Sequence, residues 1–451
     1  MKKQILGLLL MTGLMSNGSI YAQEVPVEDT IPATVAIIRQ ELDVLKRIKV
    51  TGYLQTQFQY GDSTGSAVYS GGAFGAGIDK RFMIRRGRVK FQYDAPLNDK
   101  GISTSQYVLQ FDVTEKGLTI KDAYAKLTDK WIGWFSLTAG MQNRPFGFEI
   151  PYSSSLRESP ERGRMSQILF PGERDLGAMI TIQGPKTSNW NWLKLEAGLF
   201  NGNGAPGAGA SVADFDKQKD FIGHISAIRN NKSETVKYGL GVSYYSGGYR
   251  IDVDSIYNIS TDAAGNMGYM LANITHTIDL IGIGTREYTK RQYIGADGQL
   301  NIDWKPGMTV LRAEYIQGEQ PASRSSSASP NSNQAITSNL YNRNFNGAYF
   351  YFLQSIMQSP WQVIAKYDWY DPNTDVTGNE IGTTVVNGLV KTNATDLKYT
   401  TIGLGLAYRW DANVKLTAYY DMVTNETSNK LSGYTKDLKD NSFTLRMQVK
   451  F

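Results

Sequence analysis

Apolar and polar residues alternate with a period of two over most of this 451-residue chain. At the C-terminus Phe443, Leu445, Met447, Val449 and Phe451 are interleaved with Thr444, Arg446, Gln448 and Lys450. The same dyad recurs at Tyr107, Leu109, Phe111 and Val113, at Leu176, Ala178, Ile180 and Ile182, and at Val414, Leu416, Ala418 and Tyr420. It recurs again in Trp361, Val363, Ala365, Tyr367 and Trp369 against Gln362, Lys366 and Asp368. A period of two is that of a β-strand, whose side chains point to opposite faces in turn. Such segments lie near 48–60, 81–94, 104–115, 118–128, 133–142, 175–184, 190–200 and 219–230 in the first half. They continue near 236–248, 286–304, 308–318, 344–356, 361–370, 397–410, 413–424 and 440–451, about 16 in all. The stretch 250–285 reads either as loop or as part of a strand.

These strands have one apolar face each, and no helical periodicity supplies a second layer to cover it. Their other faces carry Arg, Lys and Asp repeatedly, which a dry sandwich interior does not tolerate. Apolar residues toward lipid and polar residues around a lumen resolve the conflict. An open edge in hydrocarbon leaves backbone N–H and C=O groups unpaired, so the sheet must close. The expected fold class is all-β: a transmembrane antiparallel β-barrel of about 16 strands over residues 48–451, with a short N-terminal helix. Trp410–Asn413 and Lys305–Gly307 read as short periplasmic turns. Asn201–Ala213, Gln320–Thr337 and Asp371–Lys391, polar and rich in Gly, Ser and Asn, read as extracellular loops. Tryptophans toward strand ends suit interfacial girdles.

Before residue 48 the pattern changes. Lys2 and Lys3, the apolar run Ile5–Met15 and Ala22 make residues 1–22 a secretory signal, too short to span a membrane. Residues 23–47 read as a periplasmic linker followed by a short helix. Val35, Ile38, Leu42 and Leu45 are spaced 3, 4 and 3 apart, an a/d seam. The seam either joins subunits or packs on the chain's own barrel.

Composition narrows the function classes. Cys is absent, so there is no disulfide framework and no thiolate metal site. Two histidines, His224 and His276, leave little for a metal centre. With 52 aromatic residues the chain is not disordered. The formal net charge of +5, two units of it on Lys2 and Lys3, does not point to nucleic acid. No cofactor, metal or catalytic residue is expected. Asp371, Asn373, Asp375 and Glu380 only superficially resemble a calcium loop, because Val376 stands where Gly is needed. Gly61-Asp-Ser-Thr-Gly65 matches a nucleophile string, but no helix pattern follows it, so Ser63 with His224 is a poor hydrolase pair.

Two segments carry more than barrel periodicity. Phe82–Phe91, with Arg85, Arg86, Arg88 and Lys90, resembles the second strand of the phosphate-selective porin O and P family. Gly140–Glu149, with its Arg144-Pro-Phe-Gly147 run, leading on to Pro171–Ala178, resembles the same family. The resemblance is specific over about residues 80–180 and extends in layout over 35–451. It implies a 16-stranded trimeric porin whose third long loop, near 143–175, folds into the lumen and narrows it. Phe451 resembles the terminal signal read by the barrel-assembly machinery.

Alternation places Arg86, Arg88 and Lys90 on the lumen face, with Val89, Phe91 and Tyr93 toward lipid. A cation ladder lowers the barrier for a partly dehydrated anion, and Arg suits oxyanions. The other reading is that the ladder pairs with lumenal acids such as Asp112 and Asp122. The constriction loop adds Arg144, Arg157, Arg162, Arg164 and Arg174, matched by Glu149, Glu158, Glu161, Glu173 and Asp175. The expected function is passive diffusion of small hydrophilic solutes, preferentially anions such as phosphate, through the outer membrane of a Gram-negative bacterium. The expected partners are outer-membrane lipid, two further copies in a homotrimer, the assembly machinery and small anionic solutes. The alternative is a non-conducting barrel serving as an adhesin or structural protein.

Overall fold

A computed structural model describes residues 35–38, 41–43, 45–204, 214–253, 255–273, 277–278, 284–285, 288–331 and 336–451. The signal 1–22, the linker up to residue 34 and His276 lie outside the described residues. Two units result, one ending at Arg47 and one starting at Ile48. In the first, residues 35–38, 41–43 and 45 are helical. All four seam residues are exposed, from 42% at Val35 to 62% at Leu45.

The second unit is a closed barrel of 16 antiparallel strands. They are β1 (Ile48–Gly61), β2 (Lys80–Asp94), β3 (Ser105–Thr114), β4 (Gly117–Thr128), β5 (Phe135–Asn143), β6 (Arg174–Gln183), β7 (Leu193–Phe200) and β8 (Asp220–Asn230). The wall continues with β9 (Val236–Arg250), β10 (Tyr288–Trp304), β11 (Gly307–Ala322), β12 (Tyr341–Ser355), β13 (Trp361–Asp371), β14 (Tyr399–Arg409), β15 (Val414–Asn425) and β16 (Ser442–Lys450). Each strand pairs with the next. β16 closes on β1, with Lys450 opposite Tyr53 and Ser442 opposite Gly61. Phe451 extends the closure through backbone hydrogen bonds of 3.0 Å to Gly52 in both directions. All 16 strands lie where the alternation puts them, with ends displaced by at most four residues. Past Arg250, which ends β9, the described residues up to 285 supply no wall strand. They hold a hairpin, Ser255–Thr261 against Met267–Asn273, within a long connection.

The faces are as the dyad predicts. On β16, Leu445 and Met447 are 50% and 44% exposed, while Thr444, Arg446 and Gln448 are buried. The outward apolar belt makes this a transmembrane barrel. Its connections are asymmetric. The end that carries Ile48 and Phe451 has seven links of two to ten residues, the expected turns at 305–306 and 410–413 among them. At the other end every link but Glu115-Lys116 has 16 to 37 residues. Short periplasmic turns and long extracellular loops are the pattern of outer-membrane barrels. Trp131, Trp190, Trp304, Trp361 and Trp410, all exposed, cluster at the short-turn end as one girdle.

Candidate permeation site

The third long-end loop, residues 144–173, runs inside the barrel. Its contacts are with inward-facing wall residues. The Gly147 N–H donates to Ser243 on β9 at 2.8 Å, and the Phe148 and Glu149 N–H groups donate to Glu314 on β11 at 3.2 and 3.1 Å. Arg312 on β11 holds Glu158, and the Arg164 N–H reaches Asp368 on β13. A side chain at Gly147 would run into the Glu314 carboxylate, and the backbone there has φ +59°, so glycine serves both needs.

The loop brings its own apolar core. Phe146, Ile150, Met165, Ile168, Leu169 and Phe170 pack against Tyr245, Tyr293, Ile316, Phe345 and Tyr349 of the wall. Phe146 and Phe170 have ring centroids 4.9 Å apart, and Phe170 meets Tyr293 edge-on at 5.9 Å. A uniformly polar lumen is therefore not what forms. The β8–β13 side is filled by a buried aromatic cluster, because a 30-residue loop can stay inside only by burying side chains against something.

On the opposite flank the loop is clasped by charge. Glu161 accepts from Arg86 at 2.6 Å, Arg85 at 2.9 Å and Arg446 at 2.9 Å, and Arg157 lies 3.8 Å away. Burial alone would raise the Glu161 carboxyl, but the guanidinium groups of Arg85, Arg86 and Arg446 hold it well below the usual carboxylate range. Arg85 reaches the clasp because β2 bulges there. Gln55 pairs with Arg86 and Thr56 with Ile84, which leaves Arg85 as the extra residue, turned inward beside Arg86. A second bulge, on β4, makes Lys121 the extra residue, among the charges of Glu173, Arg88 and Arg174.

Between the loop and the wall from β2 to β7 there remains an open polar cavity of about 480 Å³. Its charged lining is Arg88, Lys90, Lys126, Arg144, Arg174 and Lys194 against only Asp122 and Glu196. Three of the six cations are neutralised: Arg88 by Asp112 at 3.2 Å, Arg174 by Asp122 at 3.0 Å and by Glu173, and Lys194 by Glu196 at 2.6 Å. Lys90 meets only Gln92, at 3.1 Å. Arg144 meets the Pro171 carbonyl at 3.2 Å, with its guanidinium 5.0 Å from the Phe170 ring centre. Neither these two nor Lys126 has an acid in ion-pair contact among the described residues.

Of the eight candidate cations, the cavity gathers Arg88, Lys90, Arg144 and Arg174. Arg86 and Arg157 belong to the clasp. Arg162 is tied to Glu173 and to the carbonyls of Glu149 and Ile150. Arg164 lies between the rings of Tyr69 and Tyr399, 4.3 and 3.8 Å from their centres. The ladder on β2 is thus divided. Arg86 and Arg88 are paired and Lys90 is not, and the partner of Arg86 is a loop residue rather than Asp112 or Asp122. Lys126 and Lys194 escaped the sequence reading although their alternation was legible, because nothing along the chain ranks one lumenal lysine above another.

The weaker motifs dissolve. The Ser63 hydroxyl donates to the Lys439 carbonyl at 2.7 Å, whereas His224 lies between Asp297 at 3.1 Å and Glu196 at 3.8 Å. Asn373 donates to Asp396 and Tyr269, and Glu380 caps a short turn through the Thr377 N–H. Among the described residues no group of three or more His, Asp and Glu is placed to hold a metal.

Compared by sequence, the chain matches no family model and no curated protein. Compared by structure, it is similar to an anion-selective porin from Comamonas acidovorans, with 12% identity and a TM-score of 0.51 over 90% of this chain and 99% of that one. The fold is that of an outer-membrane porin. A channel of Acinetobacter baumannii, DcaP, also aligns over 90% of this chain and 97% of its own, with 13% identity and a TM-score of 0.49. The barrel thus shares its fold with porins.

Proposed function

We propose that this barrel is a passive channel for small hydrophilic solutes with a preference for anions. The observation that carries the reading is the cavity lining, six cations against two acids, with Lys90, Lys126 and Arg144 outside any ion pair among the described residues. Unpaired cations beside a narrow water path lower the barrier for anions and raise it for cations. The anion selectivity named for the Comamonas neighbour agrees with it. Arg86 and Arg88 contribute less at the cavity, since Arg86 is turned to Glu161 of the loop and Arg88 is paired with Asp112. Phosphate is one candidate solute, on the resemblance of residues 80–180 to phosphate-selective porins. Three copies assembling through the N-terminal seam, and recognition of Phe451 by the assembly machinery, complete the proposal.

Planar-bilayer recording tests it. Purified protein should give discrete conductance steps, and its reversal potential in a salt gradient should report anion preference. Lys90→Gln with Lys126→Gln should lower that preference, and by more at low salt, where screening is weak. Absence of steps would favour the non-conducting alternative, an adhesin or structural barrel.

A further inference from the structure

The same cavity carries a second signature, at the root of the constriction loop. Asn143 and Arg144 are consecutive, and both line it. The Asn143 Oδ1 atom is buried without a hydrogen-bond partner, and so is the Arg144 Nε. Arg144 itself is only 2% exposed. An acceptor in want of a donor and, on the next residue, a cationic donor in want of an acceptor thus line one cavity, and buried polar atoms left unmatched are costly. A hydroxyl group next to a carboxylate satisfies both at once.

The rest of the lining extends that complementarity. Eleven of its residues are uncharged hydrogen-bonding groups, among them Gln106, Gln110, Gln142 and Thr181, whereas only Val108, Met179 and two prolines are apolar. The unpaired lysines do not converge. Lys90 pairs with Gln110, and Lys126 with Gln106. They are therefore two strands and four residues apart, about 10 Å across the sheet and about 13 Å along it. A small oxyanion meets one of them at a time. A volume of about 480 Å³ falls in the range of sites for small organic ligands. Between the two lysines lies Val108, and Asp122, level with Lys90 across Gln110, is held by Arg174, so no third free cation there draws a second anionic group.

We infer that the cavity is a weak binding site for a polyhydroxylated organic anion of the sugar-acid class. In it Arg144 takes the carboxylate, Asn143 takes the neighbouring hydroxyl, and the glutamine-rich wall takes the remaining hydroxyls. This rests on the channel reading for its place on a solute path, but the binding itself is separable from conduction.

Two measurements on the full-length protein in detergent or bilayer test it with sodium glucuronate as the probe. In saturation-transfer NMR, which reads binding without conduction, glucuronate should give signals at least threefold stronger than glucose or acetate, and equimolar inorganic phosphate, which has no carbon-bound proton to observe, should leave them unchanged. Arg144→Gln and Asn143→Leu should each reduce them threefold or more. Lys90→Gln, on the wall and away from the loop root, provides a variant that keeps the loop intact and should give a smaller loss. Unchanged heat-modifiability on a gel identifies the variants that fold. In bilayers glucuronate should produce resolved interruptions of current that glucose and acetate do not. Equal signals for glucose and glucuronate, or for acetate and glucuronate, or displacement of glucuronate by equimolar phosphate, overturn the inference even if the channel is anion-selective. Glucuronate binding that depends on Arg144 without any conductance steps upholds the site and overturns the channel.

Discussion

A lumenal residue here is set by alternation, but its charge state and partners are set by what lies across the cavity. Phe91 shows the first half. It is 42% exposed on the outer face, three residues beyond Arg88, which is buried in a pair. Phe91→Arg places a charge in lipid and should cost about 2–4 kcal/mol if it lies near the midplane. Its effect on reversal potential should be small, and denaturant titration in lipid vesicles measures the loss. Arg85 shows the second half. By strict alternation it would face lipid, and only the bulge opposite Gln55 and Thr56 turns it inward to Glu161. Lys90 was readable as lumenal from the sequence. That it is unpaired while Arg86, on the same face, is paired was not.

At the scale of the element, the constriction loop is held on one flank by apolar packing and on the other by one carboxylate among four arginines. Glu161→Gln leaves Arg85, Arg86, Arg157 and Arg446 without their common counter-charge. Removing one partner of a buried ion pair costs about 3–5 kcal/mol. The loop should loosen on that flank while the Phe146–Phe170 core stays seated, seen as larger conductance fluctuation and faster protease cleavage within 144–173. Because the Glu161 carboxyl is held well below its usual range, its contribution is fully present above the unfolded carboxylate pKa of about 4.3 and is lost only as pH falls well below that. The clasp should therefore hold alike at pH 4.5 and pH 7, read as equal protease protection within 144–173. A turn at the other end behaves alike. Desolvation would raise the Asp129 carboxyl, but it accepts five backbone N–H groups, from Trp131, Ile132, Gly133, Trp134 and Phe135, which together hold it at about 2. Its contribution is complete above about pH 4 and is lost as pH falls toward 2. Asp129→Ala should remove that acid dependence from the unfolding midpoint measured between pH 5 and pH 2.

At the scale of the whole molecule, the question is what covers the exposed seam. Val35, Ile38, Leu42 and Leu45 are all more than 40% exposed in the single chain. If the seam joins three copies, deleting residues 24–47 should leave a barrel that inserts and keeps its heat-modifiable band. The heat-resistant oligomer should disappear from the gel. A full-length protein that runs as a monomer in mild detergent would assign the seam to internal packing instead.

The sequence by itself determined the barrel. A period-two pattern with charged residues on one face has one stable solution in lipid, and backbone hydrogen bonding forces it to close. Strand number, strand faces, the long-loop end and the existence of a loop rich in Arg and Glu near 143–175 follow from the chain alone. Only the tertiary structure decided which charges survive. Five positive and five negative residues in that loop say nothing about selectivity until each is given a partner. Glu161 is spent on wall arginines, Glu173 on Arg162 and Arg174, and Glu158 on Arg312. Arg144 and Arg164 are left without an ion pair among the described residues, as are Glu149 and Asp175, and of these four only Arg144 lines the cavity with Lys90 and Lys126. Ion pairing depends on separations of a few ångströms between residues up to 285 apart in the chain, and no local pattern encodes them.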